Sequence, residues 1–421
     1  MKTLQIAIRN VFRHRTRSII TLTAIAFGCV ALIFVGGFFE DLFFKMRESY
    51  IKGHTGHLQV YKRGFFEEGS AKPFDYLITD AEEIIPFIRK TEGVMSVTAR
   101  LEFAALVSTG DNTVSCIAQG VQPRYEPTIR ASDVTRGHED LPSLGGSVIE
   151  AGEPLKEREP YNALLGKGMA AGIGAKPGDS LVLVAHTVGG SINALDVNVR
   201  GVFYTSAKAF DDHALRLPLE TAQELLQTDA VQSLVIMLRD TEDTKAVQER
   251  LERMFILQQL DLEIKRWDEL SDFYAKTQQL FGRMFLILKG VIAVIAVLSI
   301  FNTMNMAVLE RTTEIGTIMA MGTKPRGVLR LFLIEGLALG AIGGALGVLL
   351  GTLIVIIVQR VGIPMPAPPG ATMTWVSEPM LVPAVIEFAF GLSVVTAALS
   401  SIYPAYKASQ LEIAQALRYS G

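Results

Sequence analysis

The chain is poor in charge and nearly devoid of cysteine. Of its 421 residues only 20% are Asp, Glu, Lys or Arg, against 49% hydrophobic, which is too apolar for an ordinary soluble protein. Net charge is −3 and no block of like charge occurs, so nucleic acid is not an expected partner. Cys29 lies in an apolar run and Cys116 in a polar segment, which excludes a disulfide framework. Reaction signatures are missing too: there is no Gly-x-Ser-x-Gly, His-Glu-x-x-His or Cys-x-x-Cys. The glycine-rich stretch 336–351 has no Lys-Ser/Thr after it and no strand before it, so it is not a phosphate loop. "HTGH" holds His54 and His57 without acidic or Cys companions and is expected to be a solvent-exposed pair, with no metal. "SYIK" (Ser49 to Lys52) has Ser-x-x-Lys spacing but none of the companion motifs, so no catalytic residue is expected.

What the chain does have is long apolar runs. Residues 18–39, 290–309, 336–359 and 388–406 are uncharged and each approaches the ~20 residues that cross a bilayer. The fold class is therefore a membrane protein of four transmembrane α-helices. A large α+β extracytoplasmic domain is inserted between the first and second. Lys2, Arg9, Arg13, Arg15 and Arg17 precede the first run with no acid among them, which places the N-terminus in the cytoplasm. No Ala-x-Ala follows that run, and "AFGC" lacks the apolar residue expected before a lipidated cysteine, so neither cleavage nor lipidation is expected. The predicted order is 1–17 cytoplasmic, 18–39 first span, 40–282 outside, 283–309 second span and 310–330 cytoplasmic loop. It continues with 331–359 third span, 360–379 outer loop, 380–406 fourth span and 407–421 cytoplasmic tail. Loop charge agrees, since 310–330 holds Arg311, Lys324, Arg326 and Arg330 whereas 361–379 has no Lys or Arg.

Residues 40–282 are too many for a loop without structure of its own. Strand alternation appears in "HLQVY", in "AALVS" and "VSCIAQ" across "TGDNT", and in "SLVLVAHTV" and "LDVNVRGVF" across "GGSINA". "TDAEEIIPFIRKTEG" offers a helix with a Thr79/Glu82 capping box, and "TKAVQERLERMF" puts Val247, Leu251, Met254 and Phe255 on one face. "LLGKGMAAGIGAKPGDSLVLV" reads as a short helix turning into a strand, and the whole as an α+β domain of two lobes. At its two attachments Phe39, Leu42, Phe43, Met46 and Tyr50 share one helical face, and Leu270, Phe273, Thr277, Phe281 and Met284 another. Such faces suit helical stalks that continue the spans outward, or interfacial aromatic belts.

Within the third span glycines recur four apart at Gly336, Gly340 and Gly344 and again at Gly343, Gly347 and Gly351, a spacing that favours close helix packing over a pore lining. Lys289, Glu335 and Glu387 are ionisable residues in or at the edge of spans. Lys289 and Glu387 fall near the outer ends, where they can snorkel or pair with each other; Glu335 falls near the inner end, within reach of the basic loop.

Between two spans the chain reads "AVLERTTEIGTIMAMGTKPRGVLRLFLIEG". Asn302, Thr303 and Met304, then Glu310, Arg311, Glu314, Ile315 and Gly316, then Ala320, Met321 and Gly322 resemble the pattern of FtsX-like and MacB-type ABC transporter permeases. Tyr403, Pro404, Ala405, Ala416, Leu417 and Arg418 resemble that family's ending, and the amphipathic segment 1–17 its elbow helix. The resemblance implies a type VII, mechanotransmitting permease of a bacterial inner membrane, its large domain periplasmic. The implied partners are two copies of a separate ABC ATPase carrying ATP and Mg, a second permease copy or a related permease, membrane lipids, and a periplasmic carrier or adaptor protein. No cofactor is implied for this chain. The coupling loop would use Glu310, Arg311 and Glu314 as ion-pairing groups and Ile315, Ile318 and Met319 as apolar contacts, with Gly316, Met321 and Gly322 shaping it. Without a fused ATPase the layout looks most like the lipoprotein-releasing LolC/LolE permeases. MacB-like efflux of peptides or amphiphiles and FtsX-like signalling to a cell-wall hydrolase are the alternatives.

Overall fold

The computed structural model describes residues 15–69, 71–125, 128–130, 147–205, 207–366 and 374–412. Residues 1–14 of the expected elbow segment 1–17, residues 367–373 of the outer loop 360–379, and Ala416, Leu417 and Arg418 of the tail lie outside the described residues. The chain divides into two compact units, one of Phe44–Lys276 with Pro364–Val376 and one of Met1–Phe43, Thr277–Ile363 and Ser377–Gly421.

Helix α1 (Arg15–Tyr50) ends in a wider π turn, Ile51–Thr55, and the first unit then alternates strands and short helices. These are β1 (Leu58–Lys62), α2 (Ala81–Arg89), β2 (Val94–Ser108), β3 (Thr113–Val121), β4 (Thr128–Arg130), β5 (Ser147–Gly152), β6 (Asn162–Gly166) and α3 (Lys167–Ile173). They continue as β7 (Ser180–His186), β8 (Ile192–Tyr204), α4 (Lys208–Asp211), β9 (Ala214–Pro218), α5 (Leu219–Leu226), β10 (Ser233–Leu238), α6 (Thr244–Leu257), β11 (Leu262–Arg266) and α7 (Trp267–Leu270).

Two lobes share strand β2. Its first half pairs with β10, giving the order β11-β1-β10-β2, in which β1-α2-β2 and β10-α6-β11 form a split pair of β-α-β units. Its second half pairs with β3 on one side and β7 on the other. From there β3-β9-β6-β8-β7 returns to β2, so these six strands close into a barrel. Alternation along β7 sends Leu181, Leu183 and Ala185 inward, and they join Val107, Val197 and Leu215 in one core that continues into the first lobe. Val247, Leu251 and Phe255 bury the apolar stripe of α6 in that core, with Met254 at its edge. Helix α2 begins at N-cap Asp80 with no side-chain capping bond, so the expected Thr79/Glu82 box does not form.

The second unit holds α1 up to Phe43, α8 (Asp272–Glu310) from Thr277 onward, α9 (Thr312–Ala320), α10 (Pro325–Val361) and α11 (Pro383–Ser409); β12 (Ile363–Met365) and β13 (Trp375–Ser377) pair with each other in a short two-stranded sheet. Among the described residues four stretches are long and apolar enough to cross a membrane: Ser18–Thr55, Tyr274–Glu310, Pro325–Val361 and Pro383–Ser409. Helix α10 is the hub. A Cβ at Gly343 would fall 2.9 Å from Ile25 and one at Gly351 3.1 Å from Ile33, with Gly347 between them facing Cys29, so one glycine row seats α1. The other row, Gly336, Gly340 and Gly344, faces Ser401, Ala397 and Ser393 and seats α11. Close backbone approach replaces the hydrophobic effect that lipid cannot supply.

Candidate coupling site

The loop between the second and third spans is built by three breaks in helical geometry. Helix α8 stops at Glu310 because Arg311 turns to φ −106°, ψ 16°, and Thr312 turns its hydroxyl onto the Val308 and Leu309 carbonyls at 3.1 and 2.9 Å. Helix α9 ends at Ala320, and the chain then turns at Gly322, whose φ of +96° favours glycine. Pro325 then opens α10 at a position where its missing N–H costs nothing.

The amphipathic character of α9 sorts its residues. Ile315 and Gly316 are buried, Ile315 in the core that holds Val308, Val328 and Phe332, and Met319 packs at its edge. Arg311 is also inward. Its guanidinium lies 3.1 Å from Glu335 of α10 and 3.4 Å from Glu314, and both Arg311 and Glu335 are buried. This corrects the expectation that Arg311 and Ile315 present themselves to a partner: they fasten the loop to its own helices. Glu335 meets its cation as its position near the basic loop suggested. The face left exposed comprises Glu310, Thr313, Glu314, Thr317, Met321, Gly322, Lys324 and Arg326, with Ile318 half-buried. Met321, just past the end of α9, is 76% exposed. Thr313, Thr317, Lys324 and Arg326 were missing from the expected set, although α-helical spacing from Ile315 would have placed the two threonines outward.

The stalk residues are partly rearranged. Phe39 lies 5.4 Å from Phe281 and 5.7 Å from Phe285, and Phe43 lies 6.2 Å from Phe281, ring centroid to ring centroid. Phe285, not Met284, continues the contact face; Met284 is half-exposed on the other side of the helix. Leu270 belongs to α7, separated from α8 by Ser271, so it is not on the α8 stripe. Leu42 and Met46 are half-buried on α1, and the side chain of Phe273 lies outside the described residues. On the face 37, 41, 45 of α1, Gly37 accepts from the Met380 N–H at 3.0 Å. Buried Asp41 accepts from Glu378 N–H at 2.9 Å and Ser377 Oγ at 3.2 Å, and Lys45 donates to the Val376 carbonyl at 2.6 Å. Asp41 and Lys45 thus tie down the outer loop, a role that sequence periodicity alone does not reveal.

Where α1 ends, its last carbonyls are taken by the first unit. Buried Arg216 of β9 donates to Gly53 O at 3.2 Å and Arg100 of β2 to His54 O at 2.5 Å, while Gln59 donates to Thr55 O at 2.7 Å. Two cations therefore sit at the negative end of the helix. Beside them His57 is buried, not exposed as expected. The Leu238 N–H donates to its Nδ1 at 3.1 Å, its Nε2 meets Thr241 Oγ at 3.1 Å, and Thr241 donates to Glu48 at 3.0 Å. With Nδ1 an acceptor, the ring proton is assigned to Nε2. Burial, opposed by Glu48, lowers the His57 pKa to about 4. In the barrel, burial pushes the Cys116 thiol up to about 12, so it is an inert core group. Among the described residues no three His, Cys, Asp or Glu side chains are placed to hold a metal.

A MacB-like periplasmic core domain matches residues 18–254 and an FtsX-like permease C-terminal domain matches residues 286–413. The chain is an ABC transporter permease of the MacB/LolC family. Similarity to an uncharacterized ABC transporter permease of Methanocaldococcus jannaschii runs at 22% identity over 98% of the permease and 96% of that protein. The lipoprotein-releasing system transmembrane protein LolC of Xylella fastidiosa is 25% identical over 70% of this chain and 74% of its own length. The macrolide export ATP-binding/permease protein MacB of Syntrophobacter fumaroxidans is 31% identical over 38% of this chain and 20% of that protein.

Proposed function

We propose that the permease transmits ATP-driven motion from a separate ABC ATPase to its large domain, and that its cargo is a lipoprotein or another lipid-anchored substrate drawn from the outer leaflet of a bacterial inner membrane. The observation that carries the reading is the split face of α9. Arg311 and Ile315 root it in the membrane unit while Glu314, Met321 and Lys324 stand outside, the composition of a protein contact: an apolar anchor ringed by charges of both signs. No phosphate-binding loop occurs in the 421 residues, so ATP and Mg are assigned to the partner. Two permeases and two ATPases are proposed to assemble, the second permease being a copy or a relative, with a periplasmic carrier or adaptor receiving the cargo. Orientation follows the positive-inside rule, with both termini and α9 in the cytoplasm.

The mechanism proposed is mechanical. ATPase closure pushes α9; rooted by Arg311, α9 passes the push to α8 and α10; and α1 and α8, which run from the membrane unit into the sequence of the large domain, carry tilt outward. An external energy source suits a lipid-anchored cargo. At about 0.8 kcal/mol per buried methylene each acyl chain is held by on the order of 10 kcal/mol, so passive release is negligible. Lipoprotein is the cargo proposed because the chain matches 74% of the length of a lipoprotein-releasing LolC relative, against 20% and 49% of the length of two MacB relatives. The test is to reconstitute the permease with its ATPase and measure turnover with Met321→Asp. Loss of permease-dependent stimulation is expected, and unchanged stimulation would remove the docking role.

A further inference from the structure

Two opposite charges stand at one level of the membrane unit without pairing. Lys289 of α8 holds its Nζ 4.4 Å from the ring centroid of Phe285 and 4.5 Å from that of Phe388 on α11. Glu387, the residue before Phe388 on α11, is exposed and among the described residues has no hydrogen-bond or ion-pair partner. The expected Lys289–Glu387 pair does not form: Lys289 is turned to the aromatic faces, which attract and orient it. Both groups lie within stretches apolar enough to cross a membrane. Glu387 is four residues into α11, about 6 Å along its axis, so it lies near one end of that span. A carboxylate left unpaired there is costly unless a cation meets it.

Beside Glu387 a groove of about 620 Å³ opens between α10 and α11, walled by Ala345, Val348, Leu349, Ile386 and Phe390. An acyl chain gains little by leaving bilayer for an apolar groove, so occupancy must be decided by the head. The charges state which head fits. We propose that this is a resident site for a phospholipid bearing a phosphate and a primary ammonium: Glu387 takes the ammonium, Lys289 the phosphate, and one chain lies in the groove. A primary ammonium donates up to three hydrogen bonds to the carboxylate, which a trimethylated ammonium cannot. A neutral glycerol head leaves Glu387 without a cation. The site is separate from the coupling face and is independent of the cargo.

Native mass spectrometry of the full-length permease with phosphatidylethanolamine, phosphatidylcholine and phosphatidylglycerol of identical chains tests it. Phosphatidylethanolamine is expected to be retained about tenfold over the other two, the worth of one charge-assisted hydrogen bond. Glu387→Gln is expected to erase that preference and Glu387→Asp to keep it. Lys289→Gln is expected to weaken all three lipids alike, with Lys289→Arg restoring them. Because the readout is a ratio among lipids on folded protein, a general loss of stability does not imitate it. Equal retention by the unaltered permease would overturn the proposal, as would an unchanged preference in Glu387→Gln. So would an efficient Glu387→Cys cross-link between two copies, which would make the groove a protein interface.

Discussion

The Arg311 guanidinium and the Glu335 carboxylate meet at 3.1 Å in the interior of the membrane unit, joining the end of α8 to the third turn of α10. Removing one partner of such a pair leaves a buried charge uncompensated and costs about 3–5 kcal/mol, whereas replacing both by apolar groups costs far less. Arg311→Met and Glu335→Leu are each expected to lower the melting temperature of the purified permease, and the double variant to recover most of the loss. A double variant as unstable as either single one would show that the pair is not the element that fastens the loop.

The glycine rows make a graded expectation. Gly347→Leu drives a side chain into Cys29 and the α1 backbone, and Gly340→Leu drives one into Ala397, so both are expected to destabilise the helix bundle, by about 1–3 kcal/mol or more. At Gly290 and Gly391 a Cβ meets nothing within 4 Å, so Ala there is expected to be neutral or to stabilise by up to about 1 kcal/mol through helix propensity. Thermal unfolding in detergent separates the two classes.

His57 gives the large domain a pH dependence of definite sign. Its folded pKa is lowered to about 4 from an ordinary 6.5, so its contribution is present above pH 6.5 and is lost as pH falls toward 4. The full shift corresponds to about 3 kcal/mol at most. Chemical unfolding followed from pH 7 to pH 4 is expected to show this loss, and His57→Gln to flatten it while lowering stability at pH 7. An unaltered slope in that variant would assign the acid sensitivity elsewhere.

Arg100 is expected to matter to coupling, since it holds a carbonyl at the end of α1, whereas Arg216, bonded also to Gln119 and Ser147 inside the barrel, is expected to matter to folding as well. Arg100→Met is expected to leave ATP binding by the partner intact while reducing stimulated turnover. Stimulation at the unaltered level would mean that motion does not pass through this end of α1.

Much of this is legible in the sequence. Uncharged runs announced the four spans, four-residue glycine spacing announced close helix contacts, and alternation in "SLVLVAHTV" announced β7. Three kinds of feature were not legible. Arg311 in a charged loop reads as exposed, and only its distance from Glu335, 24 residues on, shows otherwise. His57 in "HTGH" reads as polar surface, but the pairing of β1 with β10 and β11 covers it on both sides. Met284 and Phe285 differ by one residue, about 100° on a helix, and the side that meets Phe39 is decided by how α8 leans on α1. Each depends on a contact between segments far apart in sequence, which local periodicity does not encode.

The central claim is that the outer face of α9 is where the motor grips. Its most direct test is a photo-reactive residue at Met321, 76% exposed, in the intact transporter assembled with its ATPase. The expected result is an efficient cross-link to the ATPase, with none from a probe at the exposed Leu298 of α8. Cross-linking of position 321 to lipid alone, in a complex that still turns over ATP, would contradict the account.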